Sequence, residues 1–274
     1  PAIMKDKFPM KYTVILFLGY IAYLLLEHPI NSFIETFSLP ILYQGYLSNL
    51  ILLFPLLILL IFLLFRLNLE KSLKSKDKRI YLIPIGYLFF VIIMSFSAFK
   101  NAISLELLIF LFSLSLVGFT EEILFRGIIF PKLSDYFSSI WLGALFSSFL
   151  FGIGHYINLF KNPDSINEIT YQVISAFCIG VLMCGIFYKT KNIFIPSLIH
   201  TIFNLQSLIR VFNGIRNQKT TISDTSKEVF HPSIWELLNQ ELLFNLSCFL
   251  IGLALIFFAN KNKENSIITA GNNG

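Results

Sequence analysis

Six polar side chains capable of acid–base or hydrogen-bond chemistry lie inside otherwise apolar stretches. They are Glu121, Glu122 and Arg126 in the run Thr120-Glu-Glu-Ile-Leu-Phe-Arg-Gly127, then His155, His200 and Asn204. A carboxylate beside an imidazole can hold and deprotonate a water, and Glu121 with His155 is the expected water-activating pair. His200 and Asn204 are four apart and share a helical face, so their N–H groups could receive the oxyanion of a tetrahedral intermediate. Glu122 and Arg126 have the same spacing and read as a supporting ion pair; Phe151 shares a face with His155. Glu121, His155 and His200 also make a two-histidine, one-carboxylate set suited to zinc with an open water position. No HExxH run is present, so three helices would have to assemble that set, and a glutamate bound to metal is poorly placed to act as base. Water activation without a cofactor is the preferred reading, and zinc the alternative.

Stepping from these residues to the elements that hold them, apolar stretches near the ~20 residues needed to cross a bilayer run approximately over 12–26, 46–68, 80–99, 105–130, 138–160, 168–188, 192–212 and 242–259. The expected fold is an all-α polytopic membrane protein with about eight transmembrane helices around an intramembrane catalytic cavity. The run after Lys11 is expected to be a retained first helix, because it lacks a small-residue cleavage site and further spans follow. Cytoplasmic loops carry the excess of Lys and Arg; with both termini inside, fifteen of these residues fall on the cytoplasmic side and six opposite. The fourth and fifth spans form a hairpin turning near Asp135 to Ser138. Glu121 and His155 each lie seventeen residues from Ser138, which places them at similar depth.

Composition agrees with lipid as the solvent: 55% of residues are hydrophobic and 14% charged, too little polar surface to coat a globule in water. The net charge of +5 is distributed in short blocks between apolar runs, where topology accounts for it and nucleic acid is not an expected partner. Cys178, Cys184 and Cys248 show neither pairing nor finger spacing and read as packing residues. The chain is expected to form one membrane domain, 1–274, with a catalytic core over 115–210, an external loop over 213–241 and a disordered cytoplasmic tail over 260–274. Pro232 suits the first turn of a helix through Ile234 and Leu237.

Blander roles compete with the chemical ones. Glu122 and Arg126 could be only a structural ion pair, and a lone histidine in a span is often a helix-to-helix hydrogen bond. A charge at bilayer depth costs at least ~2.5–3.5 kcal/mol on insertion scales, and Arg126 cannot neutralise both carboxylates equally. An acid left over at depth calls for a proton, a water or a substrate. Glycines 152, 154, 180 and 185 read as sites of close helix approach.

Three spaced patterns occur in order: Glu121-Glu122-Ile-Leu-Phe-Arg126, Phe151-Gly-Ile-Gly-His155 and His200-Thr-Ile-Phe-Asn204. They resemble the EExxxR, FxxxH and HxxxN/D motifs of the CPBP (CAAX protease and bacteriocin-processing, or Abi) family of intramembrane peptidases. The FRG after the first motif, Ser147 with Ser148, and the segment from Gly180 to Tyr188 resemble it too. Lys191 departs from it, standing where many relatives have Gly. The resemblance covers roughly 115–210 and implies an eight-helix fold, endopeptidase activity, water activation at Glu121 and His155, and oxyanion binding at His200 and Asn204. It also implies a peptide or protein substrate at the membrane and a role in peptide maturation or bacteriocin immunity. The bias toward Ile, Phe, Lys and Asn suits a low-GC bacterium, where CAAX substrates are not expected, and the expected location is the bacterial cell membrane. The rival classes are a non-catalytic immunity or scaffold protein of the same fold and a proton-coupled carrier; no pair of homologous halves supports the carrier.

Overall fold

The structure, a computed structural model, describes residues 10–37, 41–67, 69, 105–160, 162–205 and 233–271. Among these residues every regular element is helical. The expected span over 80–99 and most of the external loop lie outside them.

The chain begins with α1 (Met10–Leu24), α2 (Glu27–Glu35) and α3 (Ile41–Arg66). Reading the sequence for apolar runs missed α2, because Glu27, His28 and Pro29 interrupt the pattern. Pro29 sits in the first turn of the helix, where its missing N–H has no intrahelical partner to lose. Next comes one long rod. It opens with α4 (Leu105–Glu122), widens into a π-helical segment (Ile123–Ile129) and ends as α5 (Phe130–Tyr136). Pro131 supplies a local reason for the widening, since it cannot donate to the carbonyl four residues back and its ring crowds that carbonyl. The Phe130 N–H instead bonds the Phe125 carbonyl, five residues back.

The rod turns at Phe137–Ser138, with Ser138 at φ 50°. The Ser139 hydroxyl accepts the Leu142 N–H at 3.3 Å, capping α6 (Ile140–Gly154). A 3-10 helix (His155–Phe160) follows, then α7 (Ile166–Thr190). Asn192 accepts the Phe194 N–H at 2.8 Å and opens α8 (Phe194–Leu205). The last element, α9 (Ile234–Gly271), carries a break at Glu241 (φ −123°, ψ 18°). Ser233 and Glu236 form a reciprocal capping box at its start. The Ser233 N–H and hydroxyl hold the Glu236 carboxyl below its ordinary range, so the cap's contribution is fully present above that range and is lost as the pH falls through the lower, folded-state value. The helix continues through Gly271, into the stretch expected to be a disordered tail.

Five of the described helical stretches are long and apolar enough to cross a membrane: Lys11–Glu35, Leu47–Arg66, Ile140–Phe160, Ile166–Thr190 and Glu241–Lys261. The surface confirms the solvent. Ile15, Phe62, Phe149, Leu250 and Phe258 point outward, while Glu122, Arg126, Ser147 and Ser148 are buried. This polar-in, apolar-out arrangement suits a bilayer, and the chain is an all-α, polytopic integral membrane protein.

α7 is the central post, packed against α6, α9 and the 3-10 helix. Lipid gives helices no hydrophobic drive toward one another, so close approach rests on small residues. A Cβ on Gly252 would lie 2.6 Å from the Val181 carbonyl, one on Gly180 2.9 Å from Ser148, and one on Gly118 2.7 Å from Thr201. Gly252→Val is therefore expected to cost about 1–3 kcal/mol through overpacking. Gly19→Ala, facing open space, should cost nothing and gain up to about 1 kcal/mol of helix propensity. Thermal unfolding of the detergent-purified variants separates the two: a midpoint lowered by several degrees for the first, unchanged or raised for the second.

Candidate active site

Glu121 and Glu122 are the last residues of α4, and Arg126 lies in the π segment that continues it. Arg126 Nη1 stands 2.9 Å from Glu122 Oε1, both side chains wholly buried. The two are in ionic contact rather than an aligned hydrogen bond, and Arg126 Nε and Glu122 Oε2 have no hydrogen-bond partner. The guanidinium is also held by aromatic faces and a backbone dipole. Its Cζ lies 4.5 Å from the Phe151 ring centre and Nη2 donates to the Gly180 carbonyl at 3.4 Å. An arginine over an aromatic face in a desolvated site gains appreciable cation–π attraction.

α8 brings His200 onto the same carboxylate. His200 Nδ1 lies 2.9 Å from Glu122 Oε1, so Glu122 spans from Arg126 on its own rod to a separate helix. A carboxylate paired with a guanidinium is ionised and can only accept, so Nδ1 is the donor, which fixes the proton on Nδ1 and aims Nε2 elsewhere. Nε2 faces Glu121 Oε2 at 3.4 Å. The other oxygen of Glu121 accepts the Tyr20 hydroxyl of α1 at 3.0 Å.

No hydrogen bond or ion pair joins Glu121 to His155, the pair expected to activate water. His155 opens the 3-10 helix, and its Nδ1 lies 2.9 Å from the Phe151 carbonyl. A carbonyl only accepts, so Nδ1 carries the hydrogen and Nε2 keeps its lone pair in the neutral ring. Counting residues from the hairpin turn assumed regular α-helix on both sides. The π segment between Glu121 and the turn changes rotation and rise together, while the other arm stays α-helical up to His155. His155 still belongs to the same neighbourhood: Phe151 meets its ring edge to face at 5.1 Å and that of His200 at 5.6 Å. Asn204 lies one turn beyond His200, partly buried, and makes no hydrogen bond to Glu121, Glu122, His155 or His200.

Among the described residues no three His, Cys, Asp or Glu side chains are gathered to hold a metal ion. The structure also supplies two further contributors, Tyr20, which the sequence did not single out, and Ser147, which had only a family likeness to mark it. Tyr20 is one of eleven tyrosines; its signal is a seven-residue spacing from Thr13, two polar groups on one face of an otherwise apolar helix. Ser147 donates to the Phe125 carbonyl at 2.9 Å, tying α6 to the widened turn.

An all-helical membrane protein with carboxylates, a guanidinium and an imidazole sealed between its helices is the class this architecture defines. Residues 102–206 match the family described as type II CAAX prenyl endopeptidase Rce1-like, a CPBP-family domain that takes in all three motifs. No curated protein sequence and no solved structure matches the chain.

The shared Glu122 oxygen makes a stability prediction. Arg126→Met leaves a buried carboxylate without its countercharge and is expected to cost about 3–5 kcal/mol. Adding Glu122→Gln removes the stranded charge, so the double variant should unfold at a higher temperature than Arg126→Met alone. Strictly additive losses in the thermal midpoints would show that the two side chains do not act as a pair.

Proposed function

We propose that the protein is an intramembrane endopeptidase of the CAAX-protease type, hydrolysing a peptide bond with a water activated by Glu121. The observation that carries this reading is the doubly anchored His200, with Nδ1 on Glu122 and Nε2 on Glu121. Two carboxylates and one guanidinium leave one formal negative charge in a buried cluster. A proton shared across the Glu121–His200 contact would neutralise it, and a carboxylate that can take up and return a proton is what hydrolysis requires.

In the proposed cycle Glu121 takes a proton from water while the oxygen attacks the substrate carbonyl. The tetrahedral intermediate collapses with cleavage of the C–N bond, and the proton passes to the departing amine. His155 assists through Nε2, the nitrogen not engaged with the Phe151 carbonyl. Asn204 and His200 face the oxyanion, His200 once its proton balance with Glu121 shifts. Glu122, Arg126 and Phe151 hold His200 in place. The zinc alternative would need Glu121, His155 and His200 on one ion, with His155 ligating through Nε2, the nitrogen its Phe151 contact leaves free.

The substrate is proposed to be a peptide or protein held at the membrane, and the family description makes a prenylated C-terminal cysteine motif the first class to test. Peptide maturation or bacteriocin immunity in a bacterial cell membrane is the proposed setting, with both chain termini cytoplasmic. A non-catalytic scaffold of this fold would not need an excess buried carboxylate.

Detergent-purified protein should be offered peptides with and without a C-terminal prenylated cysteine, as wild type, Glu121→Ala and His155→Ala, with and without a strong zinc chelator. The expected outcome is cleavage that survives chelation and falls by roughly 10²–10⁴-fold in each variant. Loss on chelation with recovery on adding zinc would replace the mechanism by the metal one. Wild-type turnover by Glu121→Ala would sink both.

A further inference from the structure

The side chain that fixes Glu121 comes from outside the 102–206 segment. α1 is mostly lipid-facing, with Ile15, Leu18 and Tyr12 exposed, yet Tyr20 on it is 6% exposed. The Tyr20 ring packs edge to face on Phe125 at 5.9 Å, in the π segment one turn beyond Glu121, and its hydroxyl ends on Glu121 Oε1. A phenylalanine would fill that contact with Phe125 equally well, so packing does not account for the hydroxyl. A buried phenol also needs a hydrogen-bond partner, and the one it has is the acid with the chemistry.

We infer that Tyr20 is a positioning residue for the reaction. Its O–H pins one oxygen of Glu121, so that the other is turned toward His200 and the water. The side chain of a glutamate has three torsions, and a free carboxylate at the end of α4 could swing among several rotamers. Tyr20 removes that freedom from one direction and His200 from the other. Their donors reach different oxygens, which fixes the plane of the carboxylate as well as its position. Catalysis by a general base depends on such placement to within fractions of an ångström.

The inference rests on the peptidase reading, and its test carries a readout that does not. Tyr20→Phe keeps the ring and removes the donor; Tyr12→Phe, an exposed tyrosine on the same helix, is the control. On a peptide that wild type cleaves, Tyr20→Phe is expected to lower kcat roughly ten- to hundredfold at unchanged KM. Its thermal midpoint should stay close to that of wild type, and Tyr12→Phe should behave as wild type. In parallel, labelling of Glu121 by a hydrophobic carbodiimide, followed by peptide mass spectrometry, should be faster in Tyr20→Phe. That reagent must reach a carboxyl oxygen, and the variant leaves Oε1, which the Tyr20 hydroxyl covers in the wild type, open to it. Faster labelling with unaltered kcat would overturn the positioning role, and unaltered labelling would overturn the contact itself. Faster labelling in a protein whose wild type cleaves nothing would leave the contact standing and overturn the peptidase reading.

Discussion

One carboxylate oxygen, Oε1 of Glu122, receives both the guanidinium of Arg126 and the imidazole of His200. All three side chains are at least nine-tenths buried. No water or headgroup can relieve a charge there, so each depends on the other two, and the pair within the rod would be a weak local feature without the histidine. Because His200 belongs to α8, the demand to satisfy Glu122 is a demand that α8 lie against α4. The approach is as close as backbones allow: a Cβ on Gly118 would lie 3.0 Å from the Ser197 carbonyl and closer still to Thr201. The ion cluster and the small residue thus impose one constraint from two sides.

The same constraint gives the π segment a purpose. In a regular α-helix residues four apart stack along one face, which is enough to bring Glu122 to Arg126. A wider turn places Arg126 so that it also covers Phe151 on α6 and reaches the Gly180 carbonyl on α7. Phe125, the next residue back, frees a carbonyl that accepts both the Phe130 N–H and the Ser147 hydroxyl. Single-turn π geometry is found disproportionately at functional sites; here its physical cost is offset by hydrogen bonds from a neighbouring helix.

What the sequence made legible was whatever depends on spacing along one helix or on transfer from water to lipid. The apolar runs located the spans that the structure describes, and the Glu122–Arg126 pair followed from a separation of four. A helix through Ile234 and Leu237 was expected from Pro232 and is present, but the Ser233–Glu236 cap at its start was not read from the spacing. Contacts that depend on the rotation of one helix against another were not legible: Glu121 meets His200 and Tyr20, with a π segment intervening on its arm of the hairpin. α2 was hidden by a proline tolerated in a first turn, and the helix through Gly271 by an Asn-rich composition that suggested disorder. Lys191 was noted only as standing in place of glycine. Its φ of 52° and ψ of 32° put it in the left-handed region at the end of α7, where glycine is favoured because it has no Cβ to clash. Its ammonium lies 3.6 Å from the Tyr188 ring centre, an attraction that offsets part of the backbone cost.

The boundary of the matched segment also bears on where function resides. Residues 102–206 hold every charged member of the cluster, so the electrostatic problem is solved within that segment. Orientation is a separate problem. Glu121 is the one carboxylate left partly accessible, at 15% side-chain exposure, and accessibility is what a water or a substrate needs. A side chain open enough to react is open enough to move, and the donor that opposes this motion is carried by α1, which also packs Leu16, Phe17 and Ile21 on the same core. A membrane enzyme can build its charges into the packed centre of the bundle, where burial protects them. The placement of the reactive group draws on the neighbouring helix that reaches it, α1 through Tyr20, and so on a residue outside the matched segment.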